Sequence, residues 1–221
     1  METVAQMNNM KNAVLVIYVF TILASCNRTD AAKEADNGQQ SFHLSDLRSK
    51  FKYANLKTFD IDTLDWETRP AHYNMLDSAF FNKVWQDKKR KFSEQDFMAE
   101  YFHSWQERAP GLIEFTMLTE DEGSNCALLN YCIYDKQGKM VDKFIVAADC
   151  GDGGWGLHSI GRLISKNTFE VATVETESEI ISDGKINEII TGDSSVTHFI
   201  IGNNGKVAKK EIFKLQIRKE L

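Results

Sequence analysis

The chain has 221 residues, enough for one domain with a substantial core even after a leader is removed. Apolar residues make up 43% and charged ones 26%, proportions of an ordinary globular protein rather than a disordered one. The formal net charge of −6 argues against a nucleic-acid partner and against electrostatic adhesion to anionic lipid.

Residues 10–26 read MKNAVLVIYVFTILASC. Lys11 supplies a positive charge, an apolar run covers 13–23, and Ala24, Ser25 and Cys26 follow. A charged start, a short apolar core and small residues before a cut describe a secretory signal peptide. A membrane-crossing helix needs about 20 apolar residues, and this run ends early at Asn27, Arg28 and Asp30. Leu23, Ala24, Ser25 and Cys26 match a lipobox at every position, and there the sequence resembles the bacterial lipoproteins. The resemblance implies that Cys26 carries the lipid, that residues 1–25 are removed, and that the membrane partner is reached through acyl chains. It implies a cell-envelope location, on the outer rather than the inner membrane, and it covers these residues alone. Residues 1–9 are polar and carry Glu2, which suits a signal poorly, so the expected start is Met10 or Met7.

Residues 26–40 then form the expected lipidated cysteine and flexible polar tether. Lipoproteins of the Bacteroidota often carry an acidic export signal after the cysteine. Here only Lys33, Glu34 and Asp36 approach it, so the membrane face stays open.

Residues 41–221 read as a single globular domain. Phe42, Leu44, Leu47 and Phe51 allow a short helix with Ser45 as its cap. Phe59 and Ile61 alternate with Asp60 and Asp62, as in a strand end. Asp60, Asp62, Asp65 and Glu67 lack the glycine turn and distal glutamate of a calcium loop, so a solvated face is expected. Residues 74–108 read as a helical block. Met75, Ala79, Phe80 and Val84 recur at helical spacing, and Ser93 with its acidic followers opens a second helix striped by Phe97, Met98, Tyr101, Phe102 and Trp105. The basic run Lys88, Lys89, Arg90 and Lys91 is expected to be a solvated helix end, and Pro110–Gly111 closes the block.

From residue 112 onward, alternating runs are separated by turn chemistry, the pattern of an antiparallel meander of six to eight strands. Ala127, Leu129, Tyr131 and Ile133 share one face. Phe213, Leu215 and Ile217 alternate with Lys214, Gln216 and Arg218, giving one buried and one wet face. The expected fold class is therefore α+β: a helical N-terminal portion followed by a C-terminal antiparallel β-meander sheet or partly closed barrel.

The least ordinary stretch is 149–158, DCGDGGWGLH. Its glycines let backbone amides approach a ligand, and Asp149, Asp152, Trp155 and His158 make it a candidate ligand loop. Against that stands a wide connection between strands, with Trp155 folded back over the sheet. The loop matches no Walker or dinucleotide fingerprint, the histidines form no HExxH, and no GxSxG is present. Cys126, Cys132 and Cys150 lack CxxC spacing, so no metal site and no cofactor is expected. His103 falls in the helical block and reads as a helix-surface or partly buried side chain.

A turn centred on Gly138 sets Cys126 opposite Cys150, close enough for a disulfide in an exported chain, with Cys132 left as a buried thiol; the alternative is three reduced cysteines serving as small apolar side chains. The expected function is that of a lipid-anchored, non-catalytic binding or interaction module, partnered by the membrane and by another envelope protein. The alternative is an envelope hydrolase assembled around 149–158 from Asp149, Asp152, His158 and Glu175.

Overall fold

A computed structural model describes residues 43–61, 67–87, 92, 98–121, 123, 125–182 and 186–220. All of them belong to one compact unit, Gln40–Leu221. The leader, Cys26, the tether, the basic run at 88–91, the helix start at Ser93, and Asp62 and Asp65 lie outside the described residues.

The chain opens with a 3-10 helix, Leu44–Lys50, that buries Leu44 and Leu47. Its cap lies at His43 rather than Ser45, and the His43 backbone N–H donates to Asp46 Oδ2 at 3.0 Å. Short elements follow: β1 (Tyr53–Ala54), β2 (Thr58–Phe59), α1 (Arg69–His72), β3 (Asn74–Met75) and α2 (Ser78–Trp85). Asp77 caps α2 by accepting from the Phe80 N–H at 3.0 Å, and Gln86, left-handed at φ 52°, ends it. Long strands make up the rest: β4 (Met98–Gln106), β5 (Leu112–Asp121), β6 (Cys126–Asp135), β7 (Met140–Asp152), β8 (Trp155–Ser165), β9 (Thr168–Ser182), β10 (Ile186–Ile201) and β11 (Val207–Glu220).

Among the described residues there is no helical N-terminal portion beyond short helices, and the α+β assignment gives way to a mostly β fold. Met98, Tyr101, Phe102 and Trp105 lie on strand β4, not on a helix. Two physical facts account for the error. β4 is buried on both faces, so its sequence does not alternate. The β4–β5 register also slips between Phe102 and Ser104, which lets Phe102 and Trp105, three apart, join the same core cluster and mimic helical spacing. His103 sits at that irregularity and is buried, not on a helix surface.

Among the described residues the eleven strands form one sheet. From β4 to β11 each strand pairs antiparallel with the next, so the antiparallel meander begins earlier than residue 112. β1 adds to β4 in parallel, and β3 pairs antiparallel with β4. β7 pairs with β8 from Ala148 opposite Ser159 to Asp152 opposite Trp155. Beyond that, at Gly161 and Arg162, β2 takes over as the neighbour of β8. Gly161 occupies the crossing because a Cβ there would lie 2.3 Å from the Val146 carbonyl oxygen. The segment 53–59 thus pairs with β4 at one end and with β8 at the other.

Two cores result. One lies among Phe59, Tyr101, Leu129, Tyr131, Phe144 and Phe169, where Tyr131 and Phe169 have ring centroids 4.7 Å apart. The other covers the opposite side of β4–β6 with the 3-10 helix and α2, through Leu44, Val84, Trp85, Phe102, Phe115 and Tyr134.

The first core includes a buried charge group. Arg108 Nε and Nη2 donate to the two Glu114 carboxylate oxygens at 2.8 and 2.7 Å, and the Tyr131 hydroxyl donates to Glu114 Oε2 at 2.6 Å. Burial by itself lowers the Arg108 pKa, but the hydrogen bonds and charge of Glu114 hold it above its ordinary value. Burial, and then the Glu114 charge, push the Tyr131 phenol well above its own. Glu114→Ala would leave the Arg108 charge uncompensated. It is expected to cost about 3–5 kcal/mol, read as a drop in the urea midpoint at unchanged slope.

Candidate functional site

The stretch 149–158 is not a wide loop. It is the tip of the β7–β8 hairpin, closed by a two-residue turn in which Gly153 has φ 56° and Gly154 has φ 106°. Positive φ at both central positions is what the twist of such a hairpin asks for. The strands then sort the candidate residues by parity, since residues opposite one another in an antiparallel pair share a face.

Cys150 lies opposite Leu157, and Asp152 opposite Trp155, on one face. Asp149 lies opposite His158 on the other, with Oδ1 3.5 Å from Nδ1 and both side chains exposed. Glu175 belongs to the first face, opposite Leu157, and its Oε1 accepts from the Trp155 indole N–H at 3.0 Å. The four groups expected of a hydrolase are therefore split between two sides of the sheet. Asp149 and His158 are backed away from Asp152 and Glu175, so no nucleophile, base and orienting acid converge at the hairpin. Trp155 does not simply fold back over the sheet, because its ring helps line a cleft.

That cleft measures about 830 Å³. One wall comes from β6 and β7: Cys126, Leu128, Asn130, Lys143, Phe144, Ile145, Ala148 and Cys150. The other comes from β8 to β11: Trp155, Leu157, Ser159, Val171, Thr173, Ser195, Thr197, Phe199 and Lys209. Ladder register explains the second wall. Ser159 lies opposite Thr173, and Thr173 opposite Ser195, so three hydroxyls from three strands run side by side. Ser159 Oγ and Thr173 Oγ1 are 3.0 Å apart. Apolar side chains on both sides of this row make a greasy trough with a polar line through it. Lys143 and Lys209 are the two lysines of the lining, but the Lys143 ammonium sits over the Trp85 ring, 4.9 Å from its centroid, which leaves Lys209 as the cation free to face the cleft.

Sequence reasoning found Cys126, Cys150 and Trp155 of this site and missed the rest. Alternation in β9 and β10 was the available signal. It could not say that Thr173 and Ser195 line one cleft with Leu128 and Ile145, since that depends on how β8–β11 lie relative to β6–β7.

Cys126 and Cys150 face each other across β6 and β7 and form a disulfide in the cleft wall. Cys132 is buried and outside it. Among the described residues no group of three or more His, Cys, Asp or Glu is arranged to hold a metal ion.

A second, smaller hollow of about 240 Å³ lies between the 3-10 helix, α2 and the β6–β7 turn, lined by His43, Lys83, Gln86 and Gly138 among others. His103 belongs to neither hollow. It packs against the Tyr73 ring with centroids 5.6 Å apart, and its Nδ1 lies 3.0 Å from Thr116 Oγ1. A buried, hydrogen-bonded imidazole in that setting reads as part of the core.

No protein-family model, curated protein or solved structure matches this chain. The function has to be argued from the site itself.

The disulfide closes a separation of 24 residues. On the chain-entropy account a loop of that size is worth on the order of 3 kcal/mol. Cys126→Ser and Cys150→Ser, singly or together, are expected to lose a similar amount in urea denaturation. A non-reduced tryptic digest of the wild type should give one linked peptide pair holding Cys126 and Cys150.

Proposed function

We propose that this chain is a lipid-anchored binding module of the bacterial cell envelope. It is tethered through Cys26 and holds a small apolar molecule with an acidic end in the cleft beside the Cys126–Cys150 bridge. The observation that carries the reading is the lining of that cleft. Leu128, Phe144, Ile145, Leu157, Val171 and Phe199 make it apolar, the hydroxyls of Ser159, Thr173, Ser195 and Thr197 give direction, and Lys209 supplies an ammonium, while that of Lys143 lies over the Trp85 ring. A pocket of several hundred Å³ with mostly apolar walls and a few convergent polar groups is the usual form of a small-molecule site.

Charge favours an acidic ligand end. The chain as a whole carries −6, yet the lining offers the Lys209 ammonium, and Glu175 on the same face has its Oε1 engaged by the Trp155 indole N–H. An acid entering the cleft gains charge-assisted contacts there that the rest of the surface offers less often. The anchoring half of the proposal rests on the lipobox at residues 23–26, a short apolar leader and a polar tether. Acyl chains on Cys26 would supply the membrane affinity, which needs two or more chains to be stable.

Two experiments test the two halves. Titration with a long-chain fatty acid below its critical micelle concentration should change tryptophan fluorescence saturably, and Trp155→Phe should remove most of the change. Leu157→Arg should abolish binding. Lys209→Glu should weaken binding of the acid roughly ten-fold, about 1.4 kcal/mol, while leaving the matching alcohol nearly unaffected. A linear, non-saturating response would count against the cleft.

For the anchor, an alkyne fatty-acid analogue fed to cells should label the wild type and not Cys26→Ala, and the variant should leave the membrane fraction. Equal labelling of both would remove that half.

A further inference from the structure

The alternation of Phe213, Leu215 and Ile217 with Lys214, Gln216 and Arg218 asks for one buried face. Among the described residues that face stays open: Phe213 is 48% and Leu215 55% exposed. Register carries the same apolar side inward across the sheet. Phe213 lies opposite Val196, and Leu215 opposite Ser194, which in turn lies opposite Val174, itself 40% exposed. β11 is also the last strand in sheet order, so no described strand pairs with its outer edge. A long open edge with apolar side chains on one face is a template for a further strand.

We propose that a second copy of this chain supplies that strand, β11 against β11 antiparallel, about a two-fold axis at Leu215. The argument is self-complementarity. In an isologous contact with the axis normal to the sheet, opposed residues must share a face, so the axis falls on a residue rather than between two. Centred on Leu215, the pairing sets Leu215 against its own copy, Phe213 against Ile217, and Lys214 against Gln216. The register shift between Val196 and Thr197 leaves Ile212 without an opposite residue on β10. Beyond that bulge, Glu211 comes opposite Arg218 and Lys209 opposite Glu220, with Lys210 and Lys219 the one like-charged pair.

Neighbouring registers are worse. Centring on Lys214 opposes that lysine with itself, and centring on Gln216 opposes Lys214 with Arg218. Like charges directly across a ladder destabilise it. At Leu215 the apolar side chains of both copies instead form one stripe of cross-strand neighbours. Of the lysines that guard the edge against other strands, Lys214 meets glutamine and Lys209 meets glutamate, while Lys210 and Lys219 meet each other. The pairing shares Lys209 with the cleft, so its test is placed on Leu215, Lys214 and Gln216, none of which lines it.

The test reads register. Full-length chain carrying Leu215→Cys, in its native membrane, is oxidised mildly and run on a non-reducing gel. A disulfide-linked homodimer is expected, identified by mass spectrometry. Lys214→Cys and Gln216→Cys should link poorly alone and well to each other when co-expressed. In detergent solution, Leu215→Asp should convert a sedimenting dimer to monomer while keeping the wild-type circular dichroism spectrum. A Leu215→Cys chain that stays monomeric, links to a different protein, or links no better than the Lys214→Cys and Gln216→Cys chains would overturn the proposal.

Discussion

Much of this molecule depends on the close crossing of β7 and β8. The two strands run together near their shared turn and then part, and Gly161 passes so near Val146 that a side chain has no room. Because β8 leaves β7 there, β2 can pair with it, and the segment 53–59 then reaches from β8 to β4. The same divergence brings Phe169 and Val171 of β9 into the core shared with Tyr131 and Phe144. Just above it, the two walls of the cleft separate. One steric constraint thus produces both a packed interior and an open trough. The disulfide between β6 and β7 holds the trough's wall a few residues away.

The interior is not simply apolar. Glu114 takes hydrogen bonds from Arg108 and Tyr131, Arg69 pairs with Glu120, and the Trp85 indole N–H donates to Glu100. These carboxylates are all buried. A buried pair of this kind adds little net stability compared with a well-packed apolar replacement, but leaving one partner alone is costly. Such pairs therefore act against wrong pairings of the long strands. A slip of β5 by one residue would turn Glu114 and Glu120 to the other face, away from Arg108 and Arg69. We regard that register lock as a reason this sheet tolerates charges where its sequence would otherwise be apolar.

Strand parity also decides what the surface can do. The β7–β8 hairpin is rich in polar groups, but alternation turns Asp149 and His158 one way and Asp152, with Glu175, the other. Groups that look like a cluster in sequence are dispersed in space. Residues far apart in sequence, from Leu128 to Thr197, are gathered into one lining. The apolar stripe of β11 follows the same rule, since its alternate side chains share a face that the described residues leave open.

Some of this was legible in the sequence because it depends only on local chemistry. The turn at 135–138 marks the β6–β7 hairpin, but it does not by itself set the bridge: Tyr134 lies opposite Met140 beside the turn, and two register shifts between there and the bridge bring Cys150 rather than Ala148 opposite Cys126. Alternation in β6 and β11 and the glycine-rich turn before Trp155 were readable for the same reason. The lipobox is a short linear signal that needs no fold. Tertiary structure decided the rest. β4 reads as a helix because its partners cover both of its faces and a bulge sets Phe102 and Trp105 on one side, and neither fact is local. The cleft exists because β8 departs from β7 at Gly161, a close approach between residues 15 apart that depends on backbone path rather than side-chain pattern. Whether an alternating strand has its apolar face covered is likewise a property of the whole assembly of strands. The sequence states that Phe213, Leu215 and Ile217 belong on one side, and only the arrangement of the sheet decides that this side faces outward.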